Sequence, residues 1–68
     1  MNDDDLVLDG ETRRRLRHDL RTPLTIVAGF AEVLAGDREI SQSDRREFAA
    51  RIQDAATEIR KLIDSALE

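Results

Sequence analysis

The sequence predicts an all-α fold: an antiparallel two-helix hairpin, its first helix kinked, that dimerises into a four-helix bundle. Three observations predict it. Apolar residues recur in two long stretches at alternating spacings of three and four. The composition is rich in Ala, Leu, Arg, Glu and Asp, with 38% charged residues and only two aromatics, Phe30 and Phe48. Glycine (three residues) and proline (one) are too scarce to break the chain more than once or twice.

The first ten of the 68 residues form an acidic segment, "MNDDDLVLDG", with few apolar positions. It is expected to be flexible, and it lacks the pattern of a signal peptide. Helix 1 follows over about residues 11–35, with Asp9 or Thr12 as its cap. Gly36 and Asp37 supply its stop. Its apolar stripe is Leu16, Leu20, Leu24, Val27, Ala31 and Leu34. Residues 36–43, "GDREISQS", form the loop. Helix 2 occupies about 44–67, and Ser41 followed by Asp44 has capping-box spacing, with Ser43 as an alternative cap. Its stripe is Phe48, Ile52, Ala55, Ile59, Leu62 and Ala66. Both stripes are heptad-like seams suited to left-handed packing.

The apolar surface is wider than one hairpin covers. Ile26, Phe30 and Val33 on helix 1, with Ala56, Ile63 and Leu67 on helix 2, are expected to form a second stripe. A closed two-fold pair would bury it, so a homodimer is expected. A neighbouring domain is the alternative cover.

Composition excludes several classes. With no cysteine and one histidine, neither a disulfide framework nor a metal site is expected. A net charge of −4 opposes nucleic-acid binding, which needs a basic surface. The one basic cluster, Arg13, Arg14, Arg15, Arg17 and Arg21, follows an acidic block and reads as a solvated helix face. No run reaches the length of a membrane span, so no direct membrane contact is expected. The expected location is cytoplasmic, whether free or as the cytoplasmic part of a membrane sensor.

The stretch "LRHDLRTPLT" holds the only histidine, His18, beside Asp19, and the only proline, Pro23. At 100° per residue, His18 lies roughly 195° from the stripe of helix 1, facing away from the core. Thr22, Thr25 and Gly29 share that outward face and leave its wall low. Pro23 offers no N–H to the carbonyl of Asp19 and crowds it, placing a weak point within one turn of His18. The predicted role is a hinge; the plainer one is a bend that wraps the helix around the bundle. A neutral imidazole carries a lone pair and can act as a nucleophile. An adjacent carboxylate can fix its tautomer. Asp19 is well placed by sequence, although residues one apart do not face each other on a helix, which leaves a direct, an indirect or a partner-assisted contact open.

These residues resemble a known family. "RHDLRTPLTIVAGFAEVLAG" is similar to the H-box of bacterial sensor histidine kinases, in the dimerisation and histidine-phosphotransfer (DHp, HisKA-type) domain. The pattern His, Glu or Asp, Leu, Arg, Thr, Pro, Leu is met by residues 18–24, with Asp19 one methylene shorter than the commoner Glu. "DRREFAARIQDAATEIRKLIDSAL" looks like the second helix of that domain, so the resemblance spans about 11–68. It implies that His18 accepts a phosphoryl group, that Asp19 activates it, and that Thr22 places a hydrolytic water. It implies that Pro23 is the signalling bend. Partners would dock near Arg21, Thr25 and Gly29. The implied partners are a second copy of the chain, a catalytic ATP-binding domain in cis or trans, and a response-regulator receiver domain whose aspartate takes the phosphoryl group onward. ATP and Mg would be bound by the catalytic domain. No glycine-rich ATP lid is present in these residues, so no autonomous kinase activity is expected. The alternative function is a stand-alone or degenerate dimerisation module that binds a partner without phosphotransfer.

Overall fold

The computed structural model describes residues 9–68. The expected acidic N-terminal segment, 1–10, lies outside the described residues except for its last two. Those two belong to the helix start: Asp9 is the cap and α1 spans Gly10–Ala35. The Asp9 carboxylate grips the first turn at two points, accepting from the Thr12 backbone N–H at 2.7 Å and from its hydroxyl at 3.0 Å. The choice left open by the sequence between Asp9 and Thr12 falls to Asp9, with Thr12 as donor.

α1 ends at Gly36 in an extended conformation (φ −79°, ψ −179°), its N–H bonded to the Val33 carbonyl at 3.3 Å. A left-handed glycine cap is therefore not what stops this helix. α2 spans Gln42–Leu67, two residues earlier than the sequence suggests. The reason is its cap: Ser41 Oγ accepts from the Asp44 N–H at 3.0 Å, which selects Ser41 over Ser43. The two 26-residue helices pack as an antiparallel hairpin, and the molecule extends 46 Å along its length. That matches two helices of about 39 Å each plus their ends.

The seam of α2 is the predicted one: Phe48, Ile52, Ile59, Leu62 and Ala66 are half-buried and Ala55 is buried. The seam of α1 is rotated by about 30° from the predicted stripe. Leu24 is 51% exposed and Ala31 is exposed, while Pro23 is buried and Phe30 half-buried. The inward set is Leu16, Leu20, Pro23, Val27, Phe30 and Leu34. After Leu20 the seam steps three residues to Pro23 instead of four to Leu24. Phe30 is thereby removed from the second stripe and stacks on Phe48, with ring centroids 5.1 Å apart.

α1 runs continuously through Pro23, and the proline ring fills a buried seam position. Leu24, Ile26, Ile63 and Leu67 remain exposed large apolar residues. Ile26 lies on the opposite side of α1 from Leu24, beside polar groups, so the second stripe is narrower on α1 than the sequence suggests. Leu24 shares its side of the hairpin with Ala56, Ile63 and Leu67.

Candidate functional site

His18 stands on the outward face of α1, with its side chain 84% exposed. Relative to the corrected seam it lies about 160° around the helix, so the outward assignment survives the rotation. Its Nδ1 is 3.3 Å from Asp19 Oδ1. The contact is direct, which decides among the alternatives the sequence left open. Helical neighbours do point about 100° apart, but the two short side chains lean together across the step. The distance is that of a long hydrogen bond. With Asp19 ionised, the shared hydrogen belongs to Nδ1, and Nε2 is left with its lone pair facing solvent.

α2 adds a wall beside this pair. Asp19, Thr22 and Ile26 line one side of an open groove between the helices, and Arg51, Asp54 and Glu58 line the other. Buried Pro23 and Ala55 lie between them. Thr22 is four residues after His18 and three after Asp19, which puts it one turn along on the neighbouring strip of surface. Its hydroxyl has no hydrogen-bond partner among the described residues. Arg21, Thr25 and Gly29 are all exposed. A Cβ placed on Gly29 would meet nothing within 4 Å, so this glycine is not required by packing. Thr25 and Gly29 line a shallow depression with Ile26 and Val33.

Arg51, Asp54 and Glu58 are not among the site residues expected from the sequence. The signal was present in the hairpin register. Phe30 opposite Phe48 fixes which residues of α2 stand level with which of α1, and counting back brings Glu58 level with Asp19–Thr22. Among the described residues, no group of three or more His, Cys, Asp or Glu side chains could hold a metal ion. No described helix is long and apolar enough to cross a membrane.

The site is an exposed imidazole in contact with a carboxylate on an outward helix face, not an enclosed pocket. The chain belongs to the His Kinase A (phospho-acceptor) domain family, whose pattern it matches over residues 12–68. It is similar to an uncharacterised sensor-like histidine kinase of Rhizobium meliloti, 31% identical over 64 residues. That match covers 88% of this chain and 12% of the relative. It is also similar to the sensor histidine kinase YcbM of Bacillus subtilis, 28% identical over 50 residues, covering 74% of this chain and 16% of that protein. The chain thus spans less than a fifth of the length of either relative. No solved structure matches it significantly. Membership places the chain among two-component histidine kinase domains.

Proposed function

We propose that this chain is the dimerisation and phosphoacceptor domain of a two-component system, phosphorylated on His18 and passing the phosphoryl group to an aspartate of a receiver domain. The observation that carries this is the Nδ1 contact with Asp19, in a chain of the phospho-acceptor family. It orients the ring with Nε2 free on an outward face, where a large partner can reach it.

In the proposed step, Nε2 attacks the γ-phosphorus of ATP held by a separate catalytic domain with Mg. The Nε2–P bond forms as the bond to the bridging oxygen breaks, and ADP leaves with that electron pair. Positive charge developing on the ring is stabilised by Asp19, which accepts the Nδ1 proton or passes it to water. Onward transfer reverses the roles: a receiver carboxylate oxygen attacks phosphorus, and the N–P electron pair returns to Nε2. Thr22, one turn along, would orient a water for dephosphorylation. Arg21, Thr25 and Gly29 would meet the partner on the outward face, and Pro23 would let the His18 segment change angle.

Dimerisation is supported by the side of the hairpin that carries Leu24, Ala56, Ile63 and Leu67. Among the described residues only Pro23 and Ala55 are buried, a thin core for a chain of this size. Two such faces packed together would complete a four-helix bundle and leave His18 outside it.

The test is to incubate the chain with a histidine-kinase catalytic domain and radiolabelled ATP. Acid-labile, base-stable label is expected, and it is expected to vanish in His18→Gln. Persistent label in His18→Gln, or none in the wild type with a catalytic domain that binds the bundle, contradicts the proposal.

A further inference from the structure

Arg14, Arg17 and Arg21 recur three and four residues apart on a stripe of α1 that runs between His18 and the Leu24 side, and all three are exposed. Like charges at these spacings destabilise a helix. Among the described residues no carboxylate lies within ion-pair distance of any of the three. Arg15 differs: Glu11 holds it at 3.5 Å. The stripe therefore carries a repulsion that nothing within the hairpin offsets. A shallow depression between Gly10, Arg14 and Arg17 continues it toward the helix start.

His18 stands at the edge of this stripe. Arg14 is four residues before it and Arg21 three after it, which makes them its neighbours along the helix surface. At about 100° per residue, the stripe and Asp19 fall on opposite sides of His18. Nδ1 is engaged by Asp19, so Nε2 is the ring nitrogen left exposed to solvent, within the reach of long side chains on the arginine side. Helical side chains lean toward the N-terminus, which carries the imidazole over the turn of Arg14 and the Arg21 guanidinium back over His18. A phosphoryl group on Nε2 brings up to about two negative charges next to the Asp19 carboxylate. α2 packs on the side of α1 away from His18.

We propose that Arg14, Arg17 and Arg21 form a guanidinium clasp for the phosphoryl group on Nε2 of His18, offsetting its repulsion by Asp19. The proposal rests on His18 being the phosphoacceptor and adds an anion site to it. Two of its members, Arg14 and Arg17, lie outside the seven-residue motif at 18–24. Guanidinium suits the task because its planar donors match phosphoryl oxygens in pairs.

The test needs no kinase. Phosphoramidate transfers its phosphoryl group to an exposed imidazole and releases ammonia. The full chain is treated with it, and the phosphohistidine is titrated by phosphorus NMR at low salt. In Arg14→Gln/Arg17→Gln/Arg21→Gln the midpoint of the second phosphoryl ionisation is expected to rise by about 0.2–0.7 pH unit, the range set by exposed charge pairs. The corresponding Lys variant should recover most of the shift, and about 1 M salt should erase it. Arg14→Gln alone should carry part of it, which keeps the test valid if the triple variant loses helicity. Coincident titrations of wild type and variants at low salt would overturn the clasp, as would failure of His18 to take up the group. Failure of the phosphoacceptor function is separately visible, as a chain that shows the shift and yet is never labelled from ATP.

Discussion

His18 and Asp19 share a peptide bond, and their side chains meet at 3.3 Å. The pair is exposed, so its value is orientation rather than stability: an ion pair in water contributes little. Asp19→Asn tests this at constant size. The amide oxygen can still accept from Nδ1, but the charge that stabilises a developing imidazolium is gone. Phosphorylation from ATP is expected to slow by about a hundredfold, at the lower end of what positioned acid–base groups contribute. Circular dichroism should be unchanged. An unaltered labelling rate would remove Asp19 from the mechanism. The outward direction of His18 was legible in the sequence because it lies so far around the helix that a 30° error in the seam cannot bring it inside. The direct Asp19 contact was not legible, since it depends on how two short side chains bend toward each other.

At the scale of elements, the seam of α2 was legible because one series of threes and fours fits its apolar residues. α1 offered two candidates after Leu20, and Leu24 outweighs Pro23 on hydrophobicity alone. Packing against Ala55 reverses that order, and Phe30 follows Pro23 inward. The polar wall at Arg51, Asp54 and Glu58 was illegible without the register of the hairpin. The start of α1 depends on one carboxylate. The Thr12 backbone N–H, and then its hydroxyl, hold the Asp9 carboxyl below its ordinary range. A group whose folded value is depressed contributes stability above its unfolded value and loses it as pH falls through the folded one. In acid, the turn at Gly10–Arg13 is therefore expected to fray before the middle of α1. Amide hydrogen exchange followed as pH falls through and below the ordinary carboxylate range reads this directly. Asp9→Asn should lack that acid-linked fraying; an identical pH profile in the variant would show that Asp9 does not control the end.

The described residues form a hairpin with the candidate site outside and an apolar side that no described residue covers. Leu24, Ile63 and Leu67 are each more than a third exposed, and a second copy is the cover proposed for them. Leu24→Glu/Ile63→Glu is expected to raise the dimer dissociation constant at least about thirtyfold, the equivalent of one large buried side chain. Analytical ultracentrifugation would detect it, and an unchanged sedimentation profile would move the interface elsewhere. Phosphotransfer itself separates this account from a module that merely binds. The chain is labelled from ATP by a catalytic domain, freed of nucleotide, and mixed with a cognate receiver domain. The prediction is that label leaves His18 and appears in equal amount on a receiver aspartate, and that His18→Gln abolishes both. A receiver that binds wild type and His18→Gln alike and takes label from neither would contradict it.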